Sequence, residues 1–419
     1  MSRFMKIFWW RESIPEEETS ADDWKAALEA KEARIKHFWE SKRGWFFDKG
    51  YTLFRFQQLR RSLPLLDTPS LNSESIEYPY AFCGGDPPYW DCQPLQAYNS
   101  EKICFAQDVE GRHIAIKKLN NTDEIHIYRL LWEKRGLLAE NCILPILDIL
   151  EYEGQCFAVM PRWGEPPFFL DPPITLGHVL HYIHCLLKDL KEGNTLINHF
   201  GAFSRARENS MRPKLRTAGQ LTYALFDFDL ALMLPSTECR LPASQSFYVL
   251  SIMLPFDTSH GELDYDPYKF EMGCLGIVLC QMFQHCIPAV PVLAPFLDRL
   301  ITDRLELRFT AKEALQFFEK MHATLTPEQL SLEAPIYTLP GYPHWEPEKY
   351  NRWEGLPDEF VQEWARFRAP IPSFHTKLLR RICRTNLGGA LVVYIRRFFK
   401  FLGIGTHVLL NYFRISPKI

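Results

Sequence analysis

Between residues 95 and 322 the period of the apolar residues changes from that of strands to that of helices, and that change restricts the fold more than any single motif. Between residues 95 and 165 the apolar pattern has the two-residue period of strands. KICFAQD and HIAIKKL read as two strands joined by the turn VEGR, and NCILPILDILEY and QCFAVMPRW read as two more. DEIHIYRLLWEK interrupts them as one short helix. From residue 166 the helical period takes over. LGHVLHYIHCLLKDL after Thr175, KFEMGCLGIVLCQMF and the amphipathic TAKEALQFFEKM read as helices. TLINHFG and YALFDFD are short apolar segments around the polar insertion SRARENSMRPKLRTAGQ. Strands followed by helices predict an α+β fold with a small β-rich lobe, a larger α-helical lobe and a cleft between them. With 47% apolar residues, there is enough hydrophobic material for a large core.

The flanks divide further. Residues 1–62 read as a helical, aromatic N-terminal extension. Ser20 caps a helix with Asp22 and Asp23 in its first turn, Trp24, Leu28, Ile35 and Trp39 follow at roughly helical spacing, and Gly44 is the expected stop. Residues 63–94 are a Pro/Ser-rich linker, and residues 326–419 a C-terminal extension. Residues 371–419 hold nine Lys or Arg and no Asp or Glu, so a net charge of −3 conceals an acidic body and a basic tail. In the tail two apolar segments flank RRFFK. That pattern suits peripheral contact with an anionic membrane, and equally suits helices packed on the acidic body or a partner. No apolar run is long enough to span a bilayer, and the N-terminus turns acidic too soon for a signal peptide. Eleven irregularly spaced cysteines without a CxxC predict reduced thiols in an intracellular protein, cytoplasmic or nuclear. No nucleic-acid partner is expected. His178, His181 and His184 drift around a helix and read as packing or surface histidines.

Charged residues set in apolar surroundings mark the candidate chemistry. FDFDLAL, residues 226–232, holds Asp227 and Asp229 one residue apart, and is either a half-buried strand or a metal-bearing strand end. Over residues 95–322 the sequence resembles the eukaryotic protein kinase family. HIAIKKL, with Lys117, resembles VAIK, and DEIHIYRLL places Glu124 at the glutamate that pairs with that lysine. KDLKEGNTLI is similar to HRDLKPENIL and FDFDLA to the DFG motif. FEMGCLG resembles DVWSLG, and LRFTAKEAL resembles KRPTAEEAL with Arg308 at its arginine. The wider arrangement, with FFDKGYTLF, a Pro-rich link and DYDPYKFEMGCLG, is similar to kinase-like proteins of basidiomycete fungi. The resemblance implies ATP and Mg²⁺ as cofactors and a protein substrate or partner. It implies that Lys117 contacts phosphate and Glu124 orients it, that Asp189 is the catalytic base with Lys191 beside the phosphate, and that Asn194 and Asp227 bind magnesium. Phosphoryl transfer needs this set because it is mainly a matter of positioning and charge neutralisation.

Several family features are absent. Gln96, Tyr98 and Glu101 stand at the three positions of the glycine-rich loop, where glycine lets backbone N–H groups approach phosphate. Leu187 and Lys188 replace the His-Arg of the catalytic loop. Lys117 and Glu124 are only seven residues apart, so the first half of the usual helix is missing and geometry decides whether they meet; Glu124 in the first turn of its helix could still reach. No APE is legible, although PFD ends at Asp257, and Glu271 replaces the buried aspartate of DVWSLG. Asp229 stands where the family has glycine. If the chain is extended there, Asp229 shares a face with Asp227. The arginine-rich insertion reads as a solvated loop, with a basic docking surface as the alternative. Three readings stand: a Ser/Thr-type protein kinase, a pseudokinase serving as a binding or scaffold module, and a small-molecule phosphotransferase on the same architecture.

Overall fold

The alternating residues of the first half form a five-stranded antiparallel sheet. Its strands are β1 (Thr52–Leu53), β3 (Ile103–Gln107), β4 (His113–Leu119), β5 (Asp148–Tyr152) and β6 (Gln155–Pro161), in the spatial order β1-β3-β4-β6-β5. The computed structural model describes residues 21–54, 77–84, 100–120, 122–164, 174–189, 195–200, 211–228, 231–234, 240–243, 255–335, 347, 350–383 and 385–402. The chain is a mixed α+β protein with two compact units, residues 1–173 with 193–233 and residues 174–192 with 234–419.

Turn chemistry sets the register of the first unit. Asp108 accepts hydrogen bonds from the amides of Glu110 (3.0 Å) and Arg112 (2.9 Å), and Gly111 supplies a φ of 75° to close the β3–β4 turn. Glu153 and Gly154, both at positive φ, form the two-residue β5–β6 hairpin turn. Both faces of the sheet are covered. Helix α1 (Ala21–Glu40) and helix α2 (Arg43–Asp48) put Trp39 and Phe46 against Cys104, Ile114, Ile116, Phe157 and Val159. Phe46 meets Phe157 edge-on at 5.3 Å, and the Trp39 indole N–H donates to the Ser100 carbonyl. The segment expected as an extension therefore contributes an edge strand and the aromatic cover of one sheet face. Gly44 does not stop α1, which ends at Glu40. Arg43 binds Glu40 and donates to the carbonyls of Leu53 and Phe54, so the chain turns before the glycine. Ser20 lies outside the described residues.

The other face packs on α3 (Thr122–Glu133) and on two small sheets. Strand β2 (Phe82–Cys83) runs parallel to β8 (His199–Phe200), and β7 (Thr195–Ile197) runs antiparallel to β9 (Tyr223–Leu225). The described end of the arginine-rich insertion differs from a solvated loop: it is α5 (Met211–Thr217), and Arg212 and Arg216 are buried. A seven-residue helix can place both on its inner face because they are four apart. Buried His199 donates from Nε2 to the Gly84 carbonyl (2.8 Å) and accepts at Nδ1 from Arg212 Nε (3.0 Å).

The second unit is helical: α4 (Leu176–Asp189), α6 (Pro267–Phe283), α7 (Leu293–Ile301), α8 (Ala311–His322), α9 (Pro327–Ser331), α10 (Asp358–Trp364), α11 (Phe374–Cys383) and α12 (Asn386–Phe401), with a ribbon of β10 (Leu241–Pro242) and β11 (Asp264–Tyr265). Asp266 caps α6 through the amides of Tyr268 and Lys269. Gly276 lets α7 approach, because a Cβ there would lie 2.6 Å from Leu300 Cβ. Buried Arg308 pairs with Asp257 and donates to the carbonyls of Lys269 (2.7 Å) and Thr302 (3.1 Å). PFD thus supplies the carboxylate for that arginine, whereas Glu271 stays exposed. Asp298 of α7 binds Arg352 Nε, the Trp353 indole N–H and the Ala369 amide, which fastens the C-terminal extension to the helical core. The three histidines of α4 have ordinary roles: His178 Nδ1 accepts from the Thr175 amide, His181 lies 3.8 Å from Cys185 Sγ, and His184 stacks on Phe318. None of the nine described cysteines forms a disulfide.

Two outcomes follow from this packing. Trp39→Ala is expected to lower stability by about 3–5 kcal/mol in denaturant unfolding, while Phe47→Ala, on the exposed side of α2, changes it by less than ~0.5 kcal/mol. Burial, aided by Arg212, lowers the His199 pKa from 6.5 to about 4. The unfolded chain therefore takes up protons first as pH falls. The His199 contribution, on the order of 3 kcal/mol, is complete above pH 6.5 and is lost on descent toward pH 4. Urea titrations between those limits should show a shallower pH slope for His199→Gln.

Candidate functional site

The candidate site is built around a lysine placed in the middle of a sheet. β4 lies between β3 and β6, with Lys117 opposite Ile103 on one side and Ala158 on the other. Side chains alternate across the strand, so Lys117 points to the face opposite Ile114 and Ile116, toward α3. Its side chain is 2% exposed. An ammonium so far from water must be paired where it sits.

Two carboxylates provide the pairing. Glu124, fully buried, places Oε1 2.8 Å from Lys117 Nζ. β4 ends at Leu119 and α3 begins at Thr122, so Glu124 falls in the first helical turn. Its Oε2 turns back to accept from the Asn120 amide (3.0 Å). A short connection and first-turn placement bring the pair together despite the shortened spacing. The second partner is Asp227, whose Oδ1 contacts Lys117 Nζ and whose side chain is 30% exposed. It lies two residues past the end of β9, whose last residue Leu225 is pinned by hydrogen bonds to Cys142 and Leu144.

Asp227 has φ 67°, in the left-handed region. That conformation costs a non-glycine residue on the order of 1–2 kcal/mol, less for Asp than for most. The strand has ended before Asp227, so the extended chain through FDFD that would set Asp229 on the same face is not met at Asp227. Asp229 lies outside the described residues. Phe228 packs against the first-unit core and meets Tyr128 edge-on at 5.6 Å.

Tyr128 is the site residue that motif matching missed. It stands four residues after Glu124 on the same helical face, a spacing that would have found it. Lys117 Nζ lies 5.4 Å from its ring centroid. Burial, reinforced by Asp227 and Glu124 against Lys117, pushes the Tyr128 pKa up to about 12 and keeps the phenol neutral. For Lys117, burial opposes the charge, but Tyr128, Asp227 and Glu124 outweigh it and hold the pKa above the ordinary lysine value. The formal charge of the cluster is −1, with its one cation held deep and Asp227 at the wetter edge.

Of the other candidates, Asp189 closes α4 in the second unit. Lys191 and Asn194 lie outside the described residues. Gln96 and Tyr98 do too, whereas Glu101 is exposed just ahead of β3. On the face that Lys117 shares, buried Arg162 lies between the rings of Phe105 (4.3 Å) and Phe200 (4.6 Å). Burial lowers its pKa to about 10.

Magnesium is held in nucleotide sites by one or two carboxylates plus phosphate and water rather than by a protein cage. Asp227, a partly exposed carboxylate at the rim of a formally negative cluster, fits that mode. Among the described residues no cluster of three or more His, Cys, Asp or Glu could enclose a metal. No protein-family model matches the chain, and no curated protein matches it.

The ion pair has a specific thermodynamic signature. Glu124→Leu should destabilise the protein by about 3–5 kcal/mol, because it strips a buried partner from Lys117. Lys117→Met combined with Glu124→Leu should recover most of that loss, since Asp227 can be hydrated. Denaturant unfolding of the two single variants and the double variant measures the coupling.

Proposed function

We propose that the protein is a divergent member of the protein kinase-like class that binds Mg-ATP and transfers the γ-phosphoryl to a Ser or Thr hydroxyl of a protein. In this reading residues 95–165, with the five-stranded sheet's β3 to β6 and α3, are the small lobe, and residues 166–325, with α4, α6, α7 and α8, the larger, α-helical lobe. The observation that carries the proposal is the joint engagement of Lys117 by Glu124 and Asp227, three polar residues from β4, α3 and the end of β9. A lysine held by a buried glutamate is a fixed point charge for phosphate oxygens. Asp227 and Asn194 would hold Mg²⁺, which supplies neutralisation of phosphate charge. Lys117 must then exchange its contact with Asp227 for phosphate while Glu124 keeps it in place. Asp189 would accept the substrate hydroxyl proton, and Lys191 would stand by the transferred group.

A second reading, a pseudokinase acting as a binding or scaffold module, is favoured by one observation in particular. On the sheet face that Lys117 shares, Phe105, opposite Ala115, and Phe200 stack on Arg162, so protein side chains occupy the part of that face near Ala115. The replacement of the three loop glycines by Gln96, Tyr98 and Glu101 in the sequence favours this reading too.

Two measurements separate these readings. Millimolar Mg-ATP should raise the melting temperature, by about 2.7 kcal/mol of stabilisation at a hundredfold excess over Kd, and Asp227→Asn should abolish the rise. A flat response sinks nucleotide binding altogether. Radiolabelled ATP with a mixed Ser/Thr peptide library should give transfer that Asp189→Asn removes. Stabilisation without transfer selects the scaffold reading, and transfer that survives Asp189→Asn removes that residue as base.

A further inference from the structure

Helices α11 and α12 are built inside out. Each buries an arginine and turns an apolar stripe to solvent. From α11, Arg380 donates to His260 Nε2 (3.0 Å) and Asp303 Oδ2 (3.0 Å). From α12, Arg396 donates to Glu262 Oε2 (2.8 Å) and to the His260 carbonyl (3.0 Å). Both arginines are buried. Val392, on the same side of α12, closes on Gly261, where an added Cβ would lie 2.7 Å from Val392 Cγ1. The two inner faces therefore converge on the segment around His260, and the two outer faces turn away from it.

Those outer faces are hydrophobic. On α11, Phe374, Leu378 and Ile382 recur every four residues and are exposed. On α12, Leu387, Leu391, Tyr394, Phe398 and Phe401 follow the helical repeat opposite Arg396, and the first and last are both 86% exposed. Lys377, Arg381, Arg397 and Lys400 are exposed along the flanks. No acidic side chain occurs anywhere from residue 371 onward. An apolar stripe edged only by cations complements a surface that is greasy beneath and negative at its rim. A water-facing helix has the opposite polarity, with its charges outside. No described helix is long and apolar enough to cross a membrane, so the stripe suits lying in the interface.

We propose that α11 and α12 form an interfacial platform that docks the second unit on anionic phospholipid bilayers. Phe398, Leu391 and Tyr394 enter the acyl boundary, and Lys377, Arg381, Arg397 and Lys400 meet lipid phosphates. Arg380 and Arg396 act inward and hold the platform on the body, so binding needs no rearrangement of the helices.

The test is co-sedimentation of the full chain with vesicles of phosphatidylcholine alone or with roughly one third phosphatidylserine. The wild type should pellet with the anionic vesicles and be released as salt rises. Leu391→Ser with Phe398→Ser, both outward-facing, should leave the melting temperature unchanged and reduce pelleting at least ~10-fold. Arg397→Glu with Lys400→Glu should reduce pelleting on anionic vesicles to a similar degree. Pelleting that is equal on the two vesicle types, or unaffected by the serine variants, overturns the proposal. So does a wild type that fails to pellet but self-associates in sedimentation velocity and becomes monomeric in the serine variants, because the stripe then belongs to a second copy of the chain.

Discussion

A buried ammonium governs the architecture of the first unit. Lys117 sits in a central strand of a sheet covered on both faces, where bare charge costs several kcal/mol. The structure meets that cost locally by starting α3 just past the end of β4, with Glu124 in its opening turn. It meets the remainder from afar, with Asp227 brought in across 110 residues of sequence. Placing that aspartate requires β9 to end at Leu225 and the next backbone turn to be left-handed at Asp227. One side chain thereby ties together a strand, a helix and a strand end.

The second unit applies the same logic with arginine. Arg308 reaches Asp257 across 51 residues, Arg352 reaches Asp298 across 54, and Arg396 reaches Glu262 across 134. Such pairs contribute little net stability, because desolvation offsets their attraction. Losing one partner is far more costly than the pair is beneficial. The planar guanidinium also donates to nearby carbonyls, as Arg308 does to Thr302 and Lys269, which a lysine could not match.

How much of this was legible depended on whether periodicity or direction was at issue. Strands β3 to β6 and helices α3, α4, α6 and α8 follow from the spacing of apolar residues. Asp227 stood out as a carboxylate inside an apolar run, whereas Lys117 and Glu124 were picked out only by the motif resemblance. Periodicity names a stripe but does not say which way it faces. Trp39 and Phe46 were visible as aromatic residues, yet nothing in residues 21–54 said that their stripe would roof the sheet. In α12 the usual inference runs backwards, because Arg396 is inside and Phe398 outside. The backbone of Asp227 was also hidden, since alternation through FDFDL imitates a strand where the chain is already turning.

Strand β1 is only two residues long, but it pairs with β3 along what would otherwise be the open border of the sheet. An unpaired border offers a row of amides and carbonyls to any extended chain nearby. The segment that carries β1 also carries the aromatic roof. The motif resemblance begins near residue 95, but the hydrogen-bonded unit includes this earlier segment. A chain shortened to its recognisable motifs would keep every polar residue of the site and still present both a bare sheet face and a bare sheet edge to its neighbours, the two surfaces through which β proteins stick to one another.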